Sequence, residues 1–243
     1  MKNHNLFLFC GGLAVDSSGG PKPLMKIFEG KSLINYYLER LDKGSDVPNK
    51  VTLLCDLGQK NEFVSQLVTQ NFSFPIRVLE CCAGSSTFEK LLVALEHDDG
   101  EASFLHFSYP DIFFFGDVPT PNHEDSFFND GVVISVAALT SRFPRLVVDI
   151  YSDSIKGISD HTSLMPANPL HVFGGDLWVR KDVMRQLARE FLQNKPSHKP
   201  SLEYDLFFWL VNQARVKSLM LYGDWHLVDS ARDVRRLINR LSA

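Results

Sequence analysis

Leu6-Phe7-Leu8-Phe9-Cys10-Gly11-Gly12 is a run of apolar residues that ends on two glycines. No polar residue alternates within it, so it reads as a strand buried on both faces that leaves its sheet through a tight loop. The loop continues through Ser17-Ser18-Gly19-Gly20 to Pro21-Lys22-Pro23. A helix near 32–43 follows, with Ile34, Tyr37, Leu38 and Leu41 on one face at the i, i+3, i+4, i+7 spacing.

Beyond that unit the alternation repeats. Val51–Asp56 is a second buried strand, a helix is expected near 60–70, and a third strand covers Ile76–Glu80. Ser86 and Glu89 form a capping-box pattern ahead of a stripe of Phe88, Leu91, Leu92 and Leu95. Phe104–Ser108 is a fourth strand and runs into Tyr109-Pro110-Asp111. Such alternation predicts a parallel sheet wrapped by helices, with ligands taken at the carboxyl ends of the strands. From about residue 130 the texture changes. Strands are expected over Gly131–Leu139, Leu146–Tyr151, Ile155–Asp160, His171–Val179 and Lys217–Tyr222. Helices are expected near 181–193 and 202–215, and a last one starts at Ser230 with Val234, Leu237, Ile238 and Leu241 on one face. The expected class is α/β: a Rossmann-like mixed, mainly parallel sheet flanked by helices.

Composition narrows the partners. Of 243 residues, 44% are hydrophobic and 22% charged, the balance of a folded domain. The formal net charge of −4 argues against nucleic acid, which favours a basic face. Cys10 and Cys55 lie in apolar runs, and Cys81 and Cys82 are neighbours. Without a CxxC pair, zinc is not expected; buried free thiols in a reducing compartment are. No segment reaches the ~18 apolar residues of a membrane helix, and the opening run is too short for a signal peptide. A cytoplasmic protein without membrane contact is expected, with a mobile loop at Asn194–Pro200.

Six stations carry a resemblance. Phe9-Cys10-Gly11-Gly12-Leu13 and then Pro21-Lys22-Pro23-Leu24 resemble the glycine-rich loop and PKP segment of the sugar-1-phosphate nucleotidyltransferases. Gly30-Lys31-Ser32-Leu33 resembles that family's GKPLL helix start. Tyr109-Pro110-Asp111 stands where the family has Gly-Asp at a strand end. Gly174-Gly175-Asp176-Leu177-Trp178-Val179 resembles its NGG-F-V strand. Trp225-His226-Leu227-Val228-Asp229-Ser230-Ala231-Arg232-Asp233 resembles its W…DTxRD segment, in a form most similar to glucose-1-phosphate cytidylyltransferases. The resemblance spans nearly the whole chain. It implies the nucleotide-diphospho-sugar transferase fold in a single domain, 1–243, with a nucleotide-binding half (1–125) and a sugar- or acceptor-binding half (126–243).

The implied reaction is attack of a sugar-1-phosphate oxygen on the α-phosphate of a nucleoside triphosphate, CTP by the nearest likeness, with release of pyrophosphate. Such chemistry needs positioning and charge neutralisation, with no covalent nucleophile. Asp111 and Asp229 are implied to hold Mg2+, which proteins usually bind through one or two carboxylates plus phosphates and waters. Lys22 sits between two prolines that restrain its backbone, and is implied to neutralise phosphate charge as a catalytic residue. Gly11, Gly12 and Leu13 are implied to approach the nucleotide's phosphates, and Gly84, Ser85 and Ser86 its base and ribose. Gly175 is implied to line the sugar site, with Glu203 and Asp205 facing sugar hydroxyls. The partners implied are a nucleoside triphosphate and a phosphorylated small-molecule acceptor. A homo-oligomer is left open.

The pattern departs in three places. Asp16 occupies the position of the loop arginine that grips the triphosphate, and a carboxylate there repels phosphate. His161, preceded by Asp160, replaces the lysine of the family's Glu-Lys-Pro; it is either a phosphate ligand cationic by virtue of its neighbours or a solvated surface histidine. Pro110 replaces a glycine. Arg142, Arg145 and Arg180 are candidate substitute cations. Two other readings follow: a catalytically inactive nucleotide or nucleotide-sugar binding module, and a glycosyltransferase of the related fold. The second lacks its metal triplet, since no two aspartates are separated by one residue.

Overall fold

A computed structural model describes residues 4–11, 20–67, 70–115, 120–138, 145–149, 153–159, 171–194 and 199–242. The chain runs β1 (His4–Phe9), β2 (Lys26–Phe28), β3 (Lys31–Ser32), α1 (Leu33–Lys43), β4 (Lys50–Asp56), α2 (Lys60–Leu67), β5 (Ile76–Cys81), α3 (Thr87–His97), β6 (Phe104–Ser108) and β7 (Ile112–Phe115). Then follow β8 (Val132–Ala138), β9 (Arg145–Asp149), β10 (Ser154–Ser159), β11 (His171–Arg180), α4 (Lys181–Gln193), α5 (Phe207–Asn212), β12 (Val216–Leu221), β13 (Asp224–Leu227) and α6 (Ala231–Leu241).

Among the described residues, nine strands form one sheet in the order β5-β4-β1-β6-β11-β8-β12-β10-β9, with β9 also reaching β11. β5, β4, β1 and β6 are parallel neighbours. β8, β12 and β9 run the same way, while β11 and β10 oppose them. The mixed, mainly parallel α/β sheet expected from sequence is what forms.

β1 is buried along its whole length, as an unbroken apolar run requires when helices cover both faces. Its alternate residues feed two cores. Phe7 and Phe9 join Phe88 and Leu91 of α3 and Val183 and Met184 of α4. Leu6 and Leu8 join Ile34 and Leu38 of α1 and Phe63 of α2. Of the four cysteines, Cys82 is exposed, against expectation, because it follows the last residue of β5; the other three are buried. Burial lifts the Cys55 and Cys81 thiols to about 11, which keeps them protonated and unreactive.

The helix expected near 202–215 instead opens as a π turn, Leu202–Leu206, before α5. Ser201 and Asp205 cap it reciprocally: Ser201 Oγ accepts from Tyr204 N, and Asp205 Oδ2 accepts from Ser201 N. β2, β3, β7 and β13 escaped the sequence reading. They are two to four residues long and pair outside the main sheet, too short for periodicity to register. No helix among the described residues is long and apolar enough to cross a membrane. The expected mobile loop at Asn194–Pro200 lies mostly outside the described residues.

Candidate active site

After β6 the chain turns at Tyr109-Pro110-Asp111, with Ile112 N donating to Tyr109 O at 3.2 Å, and enters β7. β7 pairs antiparallel with β13, Phe114 opposite Trp225 and Ile112 opposite Leu227. The pairing continues one step past the strands, where Val228 N donates to Asp111 O at 2.9 Å. This ribbon sets Asp111 beside Asp229. Lys22 arrives from a third segment, a single 3-10 turn over Lys22–Leu24 in which Met25 N donates to Lys22 O. Lys22 is 9% exposed, and its Nζ lies 2.6 Å from Asp111 Oδ2 and 3.2 Å from Asp229 Oδ1.

A satellite core explains the meeting. Ile27 and Leu33 follow Lys22 in the chain, Phe113 follows Asp111, and Val228 and Leu237 flank Asp229; these five buried side chains pack together. α6 is fixed at the same place, because Ser230 caps it by accepting from Asp233 N. Each of the three charged residues is thus anchored by an apolar neighbour in one cluster.

The Lys22 ammonium bridges the two carboxylates. Hard oxygen donors from two aspartates suit Mg2+, with phosphate oxygens and waters completing its shell. Among the described residues no group of three or more His, Cys, Asp or Glu could hold a metal ion.

The other expected residues fall as follows. Gly11 leaves β1 directly over a buried ion pair, Lys90 Nζ to Asp56 Oδ1 at 2.7 Å. Gly84 and Ser85 form the turn before α3; Gly84 O accepts from Lys199 Nζ, and Ser85 Oγ donates to Cys82 O. Ser86 caps α3 in a complete capping box with Glu89. Gly175 has φ +107° in an irregular stretch of β11, and a Cβ there would meet Ile112 Cδ1 at 2.6 Å, so only glycine fits. The same stretch is tied to the ribbon by Trp225 Nε1 donating to Gly174 O.

Glu203 accepts hydrogen bonds from the Tyr109 hydroxyl and from Thr87 Oγ1. Burial and that carboxylate push the Tyr109 phenol well above its ordinary range. Glu203 therefore ties the π turn to α3 and to the turn before Asp111. Asp205 is occupied with Ser201. Gly12, Leu13, Asp16, Arg142, Asp160 and His161 lie outside the described residues, as does the side chain of Arg145. Arg180 cannot replace the loop arginine. It pairs with Phe104, at the opposite end of β6 from Asp111, and bonds Asp182 and Asn129.

Two clusters went unread in the sequence. One is the Lys90–Asp56 pair. The other surrounds Asp176, which accepts from Ser108 Oγ at 2.7 Å, bonds Ser135 Oγ, and lies 2.9 Å from His106 Nε2. The signal for the first was a lysine beside the apolar stripe of a capped helix, together with an aspartate ending an apolar strand. The second has no periodic signature, because its members come from three strands.

No protein-family model matches the chain, and no curated protein matches it in sequence. Solved structures do match in three dimensions. The inositol-1-phosphate CTP transferase from T. maritima superposes with a TM-score of 0.70 at 14% identity, over 99% of this chain and 96% of that one. A protein from Bacillus anthracis named for glucose-1-phosphate thymidylyltransferase, solved in complex with sucrose, gives 0.71 at 16%, over 98% and 95%. HddC from Yersinia pseudotuberculosis gives 0.68 at 16%, over 98% and 99%. The chain has the Rossmann-like fold of these proteins, end to end.

Proposed function

We propose that the chain is a metal-dependent nucleotidyltransferase. It joins a nucleoside triphosphate, CTP first among candidates, to a sugar-1-phosphate or another phosphorylated metabolite and releases pyrophosphate. The observation that carries this is the convergence of Lys22, Asp111 and Asp229, which lie 89 and 207 residues from one another through Lys22, on one point at the strand ends of a fold shared with a CTP transferase.

In this reading Asp111 and Asp229 hold the metal, which when bound neutralises phosphate charge and orients the triphosphate. Lys22 supplies a second positive charge where negative charge grows on the departing pyrophosphate. Gly11 admits the phosphates close to the backbone, and the start of α3 at Gly84-Ser85-Ser86 faces the nucleoside. Gly175 and its strand face the acceptor. The acceptor's phosphate oxygen attacks the α-phosphorus as the bond to the bridging oxygen breaks. No proton need move, because a phosphate monoester is already anionic at neutral pH.

The test is magnesium-dependent pyrophosphate release from each of the four nucleoside triphosphates against a panel of sugar-1-phosphates and polyol phosphates. Release that requires both substrates supports the reading, and Asp111→Asn is expected to lower it by at least a hundredfold. Silence across the panel overturns it. The second reading, an inactive nucleotide-binding module, is favoured by Asp16 at the arginine position. It predicts calorimetric binding of a triphosphate with no turnover.

A further inference from the structure

Lys90 is a buried cation pressed against Gly11. Its side chain is 6% exposed, and its ammonium pairs with Asp56 at 2.7 Å. A Cβ built on Gly11 would lie 1.6 Å from Lys90 Nζ and 2.9 Å from Asp56 Oδ1. The pair therefore fills the space beneath Gly11, and a side chain at this position would displace the Lys90 ammonium.

Three elements converge here: β1 leaves at Gly11, β4 ends at Asp56, and α3 carries Lys90 just inside its capped start. β1 and β4 are adjacent parallel strands, and these are their carboxyl ends, the edge of such a sheet at which ligands bind. The Asp56 side chain is 22% exposed, and a largely buried Lys–Asp pair often contributes no more stability than apolar side chains of the same volume. Lys90 and Asp111 both lie within electrostatic reach of the Cys10 thiol, where β1 gives way to Gly11.

We propose that Lys90 is the buried counter-charge for a polyphosphate lying over Gly11, the task that the resemblance gives to an arginine at the position of Asp16. The proposal rests on the nucleotidyltransferase reading. Asp56 neutralises the ammonium before a polyphosphate binds and shares it afterwards. Lys90 is a positioning residue: it acts through Gly11 and through its field.

The experiment is calorimetric titration of the wild type, Lys90→Met, Asp56→Asn and the double variant with Mg2+ complexes of CTP, ATP, GTP and UTP, and with the monophosphate of whichever base binds. Lys90→Met is expected to weaken the triphosphate at least tenfold and the monophosphate by less than twofold. Asp56→Asn is expected to tighten the triphosphate, because the ammonium loses its competing partner. The double variant removes both members of the pair, leaving neither charge buried without the other, and is expected to bind as weakly as Lys90→Met. A purely structural pair would instead lower the melting temperature in both single variants and leave the triphosphate-to-monophosphate ratio unmoved. Unchanged triphosphate affinity in Lys90→Met or in the double variant overturns the proposal alone. Failure of the wild type to bind any triphosphate overturns the nucleotidyltransferase reading and this inference with it.

Discussion

Lys22 and Lys90 are both buried lysines held by aspartates, but the chain builds their surroundings differently. Lys90 and Asp56 stand on the main sheet, between a helix with a full capping box and a strand in the middle of the parallel half. Lys22, Asp111 and Asp229 stand on a satellite: a two-stranded ribbon, a 3-10 turn and a helix joined by five buried apolar residues. A two-stranded ribbon is marginal on its own. The proposed metal site is therefore mounted on the weaker scaffold and the proposed counter-charge on the stronger one. Local openings are expected to follow that order.

The largest effect should come from removing the satellite's central ring. Phe113 is 3% exposed and packs among Ile27, Leu33, Val228 and Leu237. Phe113→Ala is expected to cost about 3–5 kcal/mol, read as a lower urea midpoint. Hydrogen exchange should accelerate in β7, β13 and α6 while β1, β4 and β6 stay protected. Equal acceleration in both regions would break the comparison.

The sheet side has its own weak point, which acid exposes. His4 opens β1 and is 1% exposed. Burial first, and then the charge of His106, lowers its pKa from 6.5 to about 4, against the pull of Asp46; His123 adds in the lowering direction. The unfolded chain takes up a proton near 6.5 that the native imidazole refuses until about 4. Stability is thus complete above pH 6.5 and falls as the pH drops toward 4, by on the order of 3 kcal/mol. Urea midpoints measured across that window should show the slope, and His4→Gln should flatten it. An unchanged slope in the variant would assign the acid sensitivity elsewhere.

The same contrast decides what could be read in advance. β1, β4, α3 and α6 were legible because burial on two faces leaves a continuous apolar run, and burial on one face leaves a 3.6-residue stripe. The ribbon was not. Ile112-Phe113-Phe114-Phe115 and Asp224-Trp225-His226-Leu227 pair with each other across more than a hundred residues, and neither is long enough to show a period. The strand reading put Asp111 at a strand end, but Asp229 and Lys22 were reached only through motif resemblance, not through the ribbon and the 3-10 turn that bring them to it. Lys90 was passed over because a lysine beside an apolar stripe ordinarily stays solvated; only the close approach of Gly11, a tertiary fact, reveals where its ammonium ends.

The smallest effect is the one that speaks most directly to the proposed metal. Lys22 Nζ sits between Asp111 and Asp229, at 2.6 and 3.2 Å, so a divalent cation bound by both carboxylates must compete with the ammonium already there. Like charges cannot share so small a space in a partly desolvated site. Lys22→Met removes the competitor and keeps both carboxylates. In the absence of nucleotide, the variant is expected to bind Mn2+ about tenfold more tightly than the wild type, about 1.4 kcal/mol, as measured from the paramagnetic resonance of free Mn2+. Once phosphates are present the ammonium becomes an asset and the order of affinities for the metal–nucleotide complex should reverse. Equal or weaker Mn2+ binding by the variant would mean that the aspartates exist to hold Lys22, and would remove the metal from the proposed site.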